Sequence, residues 1–158
     1  MAVLDLFDLP QALAPFTPVV GLDLGTKTIG VAVSDIGRVI ASPMELIRKT
    51  QFTRDAVTLF ALMKTRGARG LVIGLPVNMD GTEGPRCQSS RAFARNLLRL
   101  RPDLPIAFWD ERMSSMAVNR VLIEEADVTR ARRAELVDKM AAGWILQGAL
   151  DRLRSLLK

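Results

Sequence analysis

VVGLDLGTKTIGVAVSD, residues 19–35, decides how the rest of the chain is read. Two apolar runs, Val19–Leu24 and Ile29–Ser34, flank the polar turn Gly25-Thr26-Lys27-Thr28. Alternating β-branched residues around a glycine-led turn specify a β-hairpin. Asp23 breaks the pattern: it stands inside the first run, between Gly21 and Gly25, where a core-bound strand carries an apolar side chain. An ionised carboxylate there is costly unless a positive charge compensates it, and a metal ion is one such charge. The simpler alternative is an aspartate at a strand end that accepts from turn amides.

Length and composition set the frame. The 158 residues suit one domain, residues 19–158, preceded by an extension over residues 1–18 expected to be loosely ordered. That extension, MAVLDLFDLPQALAPFTP, has no basic n-region, which argues against a signal peptide. Apolar residues make up 49% and charged residues 25%, the balance of an ordinary globular domain, and no apolar run reaches membrane-spanning length. The single cysteine, Cys87, excludes an internal disulfide and fits a reducing cytoplasm. There is no histidine, so histidine zinc sites, Ser–His–Asp triads and histidine proton shuttles are excluded. The absence of tyrosine removes tyrosine-nucleophile strand transfer.

The net charge is +5, from 22 Lys+Arg against 17 Asp+Glu. Arg86, Arg91, Arg95, Arg99 and Arg101 follow one another with no acid between them, and Arg130, Arg132 and Arg133 form a second cluster. Such clusters attract polyanions, and arginine suits bidentate contact with phosphate. Arg91, Arg95 and Arg99 share a helical face and are candidates for nucleic-acid contact.

Beyond the hairpin, Asp35–Arg38 reads as a turn and Val39–Pro43 as a third strand. A helix runs from about Thr53 to Arg66, with Ala56, Phe60 and Met63 on one face and Gly67 as its stop. LVIGLP, residues 71–76, is a buried strand. The polar loop Val77–Pro85 follows, then a helix over Arg86–Leu100 whose apolar face is Phe93, Leu97 and Leu100. Pro105–Trp109 is the fifth strand. A helix from Ser114 or Ser115 to Glu125, a polar connection and a final helix over Ala134–Leu157 complete the order. Three antiparallel strands followed by alternating helices and strands imply an α/β fold with a mixed five-stranded sheet flanked by helices.

Three acidic positions stand out on this framework. Asp23 lies on the first strand and Asp110-Glu111 at the end of the fifth. Asp138 starts a stripe with Ala142, Ile145, Ala149 and Leu153 that is aimed at the sheet. Strand alternation sends Asp110 and Glu111 to opposite faces, and spacing does not say which of them joins Asp23. Carboxylates without histidine suit Mg²⁺ or Mn²⁺. Lys27 beside Asp23 and Arg112 beside Glu111 are placed to contact phosphates, and Asn78 in the glycine-rich loop to position a substrate.

The segments GLDLGTKTIGVAVSD (21–35), VIGLPVNMDGTEGP (72–85), DERMSS (110–115) and DKMAAGWILQGALD (138–151) closely resemble the YqgF family, also called RuvX. These are small bacterial proteins with an RNase H-like fold related to Holliday-junction resolvases. The resemblance implies a metal-dependent nuclease that processes the 5′ end of precursor 16S ribosomal RNA, with Asp23, Glu111 and Asp138 as catalytic and metal-holding acids. It thereby selects Glu111 over Asp110. The resolvase relatives carry an acid at the end of the fourth strand, where this chain has Gly74-Leu75-Pro76, so Glu111 has to substitute from the next strand. The implied partner is RNA, with branched DNA as the alternative substrate, and a monomer or weak dimer is expected. A non-catalytic ribosome-assembly factor is the competing class. Actin-type nucleotide binding, which the Asp23-x-Gly25-Thr26 turn also resembles, needs two such domains.

Overall fold

A computed structural model describes residues 3–113 and 129–155. It contains strands β1 (Val19–Leu24), β2 (Thr28–Ser34), β3 (Ala41–Arg48), β4 (Gly70–Leu75) and β5 (Ile106–Asp110). Helices α1 (Phe52–Arg66), α2 (Pro85–Leu100) and α3 (Arg130–Ser155) accompany them. The sheet order is β3-β2-β1-β4-β5, antiparallel from β3 to β1 and parallel from β1 through β4 to β5. The mixed five-stranded sheet with helices on its faces is the expected one. The helix expected from Ser114 or Ser115 to Glu125 lies outside the described residues.

Strand alternation makes the two faces unequal. Val20, Leu22, Val31, Val33, Leu71, Ile73 and Ile106 point to one side, where α1 and α2 cover them with Leu59, Met63, Ala94 and Leu97. The opposite side carries small residues: Gly21 and Gly30, Ala32, Val72, Gly74 and Ala107. Here α3 lies close against the sheet with Ala142, Ile145, Leu146 and Ala149. A Cβ added to Gly21 would stand 2.6 Å from the Leu146 Cβ and 3.1 Å from the Ala142 carbonyl. Neither atom is the end of a flexible side chain, so helix and strand are in contact at the backbone.

Several boundaries differ from the sequence reading. The third strand begins at Ala41, not Val39, because the Asp35 carboxylate accepts from the Val39 and Ile40 amides and holds them in the turn. It runs on past Pro43 to Arg48, and the register with β2 shifts between Val31 and Ala32. Proline is tolerated there because β3 is an edge strand with a bulge. α3 begins at Arg130, four residues before the expected start, because Thr129 Oγ1 accepts from the Arg132 amide and caps the first turn. On α2 the buried face is Cys87, Ser90, Ala94, Leu97 and Leu98, whereas Leu100 is exposed.

The largest correction concerns the first eighteen residues, expected to be loosely ordered. Two 3₁₀ turns, Leu6–Asp8 and Pro10–Ala12, bury Leu6, Leu9 and Leu13 beside α3, with Leu9 only 1% exposed. Leu4 bridges Ala107, and its amide donates to the Ile106 carbonyl. The segment clasps the β5 edge of the sheet. Replacing Leu9 by alanine is therefore expected to cost about 2–5 kcal/mol of unfolding free energy in urea titrations. Gly21→Ala is expected to cost about 1–3 kcal/mol through overpacking against α3. A Leu9→Ala midpoint equal to wild type would show that the segment adds nothing to the core.

Candidate active site

The α3-facing side of β1 carries Val19, Gly21 and then Asp23, which pairs across β2 with Gly30. Asp23 lies one residue beyond the Leu22–Ile73 pair of β1 and β4, level with Gly74. At Gly30, a Cβ would meet the Asp138 carbonyl at 3.2 Å, the Ala142 Cβ at 3.4 Å and the Asp23 Cβ at 3.5 Å. Asp23 and the Asp138 turn of α3 therefore meet over the same glycine. At Gly74, a Cβ would stand 2.5 Å from Ile145 Cδ1 and 3.0 Å from Glu111 Oε2. Glu111 follows β5 directly and turns its carboxylate back over β4, into the space a side chain at position 74 would take.

Asp110 does not accompany it. Its carboxylate accepts from Arg112 Nη2 at 2.7 Å and from Arg112 Nε at 3.1 Å, and the Arg112 amide caps it at 2.9 Å. The guanidinium beside Asp110 holds this carboxyl below the usual aspartate range, and the pairing raises Arg112 in turn. Arg112 Nη1 also reaches the Met79 carbonyl, joining β5 to the loop 77–85. Within that loop the Asn78 side chain donates to Thr82 Oγ1, and Asp80 accepts from both the amide and the hydroxyl of Thr82. Asn78 and Arg112 thus build the loop.

Asp138 heads the buried stripe as expected in position, but it is exposed. The stripe becomes buried only from Ala141 and Ala142 onward, where the helix passes over the glycines. Asp138 instead lines a hollow of about 410 Å³ together with Gly25, Thr26, Lys27, Thr28 and Arg48. Arg48, at the end of β3 opposite Thr28, was not singled out from sequence. Its signal would have been the hairpin register, and the third strand was expected to stop before it. Of the α2 arginines, Arg91 makes a two-pronged ion pair with Glu83 at 2.7 and 2.8 Å and lies over Phe108. Arg95 and Arg99 are exposed.

Asp23, Glu111 and Asp138 all offer oxygen. That donor set matches a hard divalent cation. Among the described residues, no group of three or more Asp, Glu or Cys side chains is placed to hold a metal ion.

Sheet order and flanking helices define an α/β protein of RNase H-like architecture. The T. thermophilus RuvC structure, in complex with a Holliday junction substrate, superposes with a TM-score of 0.50 at 8% identity, over 87% of this chain and 96% of that one, which is a likeness of fold. A family model described as "RuvX: Holliday junction resolvase" matches residues 17–152, and the chain belongs to this family. A protein of Phenylobacterium zucineum named "Putative pre-16S rRNA nuclease" is 76% identical over 99% of this chain and 100% of its own length. A Caulobacter vibrioides protein of the same name is 67% identical over the same shares.

The Asp110–Arg112 pair has a pH signature. A carboxyl lowered in the folded state stabilises above its ordinary value of 3.8, and that contribution is lost as pH falls through the folded value. Asp110→Asn is expected to give a shallower loss of urea midpoint below about pH 4 than wild type. The limb does not flatten fully, because Asp35, Asp80 and Glu83 are lowered as well.

Proposed function

We propose that the chain is a divalent-metal-dependent nuclease that hydrolyses RNA phosphodiester bonds, with the 5′ end of precursor 16S rRNA as its substrate and the cytoplasm as its compartment. The observation that carries this reading is the Glu111 carboxylate lying over Gly74. It comes from β5 to the face that also bears Asp23, and the family resemblance implies an acid in the resolvase relatives at the end of β4, which supports this reading. The curated relatives of the same length carry the matching nuclease name.

In this reading Asp23, Glu111 and Asp138 would hold Mg²⁺ or Mn²⁺. When bound, such an ion supplies charge stabilisation to the attacking and leaving oxygens of an in-line displacement at phosphorus. The chain's own residues do the rest. Lys27 and Arg48, on the rim of the Asp138 hollow, hold the phosphates that flank the scissile bond. Arg95 and Arg99 on the exposed face of α2 draw the polyanion in, and Arg91 contributes there as far as its Glu83 pair allows. Arg112 and Asn78 set the loop beside the acids, so they act on substrate through its position.

Asp23→Asn is expected to lower cleavage of a precursor-rRNA fragment at least hundredfold while leaving RNA binding in place, and chelation of divalent ions is expected to do the same. Gly74→Ala crowds Glu111 Oε2 and is expected to reduce kcat by tenfold or more, since displacement of a catalytic group by about 1 Å costs up to 10²-fold. Wild-type cleavage rates in Asp23→Asn would overturn the assignment. The family's description favours a second reading, a four-way DNA junction as substrate. Paired symmetric nicking of a synthetic junction, faster than cleavage of the RNA fragment and with dimeric mass in solution, would establish it instead.

A further inference from the structure

The acids stand where β1 and β5 end. A larger hollow, about 790 Å³, lies where these strands begin, lined by the segments that lead into β1, β4 and β5. At about 3.3 Å per residue, the six residues of β4 separate the two regions by roughly 20 Å. Leu13 and Met63 contribute apolar lining; Phe16, Arg69, Arg101 and Pro102 line it as well.

Phe16 is unusual on two counts. The residue is 76% exposed, and its backbone sits at φ 60°, in the left-handed region that a bulky L-residue rarely adopts. The fold thus presents a large flat apolar group to water from a strained backbone, a combination that points to use. Arg101 lies over the Phe60 ring, its Cζ 3.8 Å from the centroid, while the residue stays exposed. Pro102 is shared with a neighbouring hollow of about 320 Å³ lined by Arg95, Leu98 and Arg99. Basic side chains therefore continue from the exposed face of α2 into the cleft, against one acid in its lining, Asp103.

We propose that this cleft is a second binding site for single-stranded nucleic acid: a base stacks on Phe16, Arg69 and Arg101 take the adjoining phosphates, and the strand continues past Arg99 and Arg95. A ring for stacking bordered by arginines is how sequence-tolerant single-strand sites are built. The excess of arginine over acid favours a polyanion. The inference rests on the nuclease reading for the nature of the strand, and it gives that enzyme a hold on its substrate remote from the acids.

The test is equilibrium binding of a labelled uridine-rich oligoribonucleotide of about a dozen nucleotides to the full chain. Phe16→Ala is expected to weaken binding about tenfold, the loss of one stacked base, and Phe16→Trp to restore it. Phe16→Gly removes the ring and suits the left-handed backbone, so it is expected to match Phe16→Ala in affinity with a Tm at or above wild type. Arg69→Gln with Arg101→Gln is expected to reduce the slope of log affinity against log salt by about 1.4. Wild-type affinity in both Phe16→Ala and Phe16→Gly overturns the site. So does displacement of the oligonucleotide from the cleft by polyglutamate at equal charge, which would mark it as a surface for an acidic protein. Absence of cleavage by wild type, with Phe16-dependent binding intact, overturns the nuclease reading and leaves this site standing.

Discussion

The contact between α3 and the glycine-rich face of the sheet governs the rest of the molecule. Gly21, Gly30 and Gly74 let the helix approach until Leu146, Ala142 and Ile145 touch strand backbone. That depth brings the Asp138 turn over Gly30 beside Asp23. Glu111 folds back into the space above Gly74, beside Ile145 of the same helix. On the other side of Trp109, Gly148 lets the indole lie 3.1 Å from where a Cβ would be. A helix held even a methyl group further away would carry its aspartate off with it. Fold stability and placement of the acids are here the same constraint, since close-packed interiors transmit displacement instead of absorbing it.

Electrostatics divides the polar residues near the acids into two kinds. Asp110, Glu83 and Asp80 are spent on local partners: Arg112, Arg91 and Thr82 respectively. Each is held in its charged form by that partner. These pairs shape the loop 77–85 and tie it to β5 and α2. The hollow at Asp138 collects the other kind, with Lys27 and Arg48 facing space a ligand can enter. Proximity in sequence to an acid of the proposed site was therefore a poor guide to which partners a basic residue meets. Arg112 adjoins Glu111 and pairs with Asp110, whereas Arg48 lies far in sequence from Asp23, Glu111 and Asp138 and arrives through the pairing of β3 with the hairpin.

The legible parts of the fold were those with a strict period. β1 and β2 alternate cleanly, and the mixed sheet followed from their turn and from the helix–strand order after it. What escaped notice is that the same alternation pairs large with small: Val20, Leu22 and Val31 on one face against Gly21, Gly30 and Ala32 on the other. That pattern announces a closely packed helix on the small side. Leu6, Leu9 and Leu13 went unread because 3₁₀ turns broken by Pro10 have no helical or strand period. Arg130 fell within the polar connection expected before the final helix, because the Thr129 cap that starts the helix is a single side chain. The choice of Glu111 over Asp110 needed the family resemblance, since alternation alone puts the two acids on opposite faces without naming the useful one.

The clasp between Leu4 and Ala107 sets an order on biosynthesis. Strands β1 to β3 form a meander that can pair as soon as it is made, and β4 and then β5 add to one edge in chain order. Residues 4–13 are translated before any of them, yet their seat, between β5 and α3, is completed last. At about 5–20 residues per second, Leu6, Leu9 and Leu13 stay uncovered for roughly 7–30 s on the nascent chain. During that interval the growing polypeptide carries a leucine-rich segment with no surface to cover it, so a nascent-chain chaperone would find its target at this end of the protein and lose it when the sheet closes.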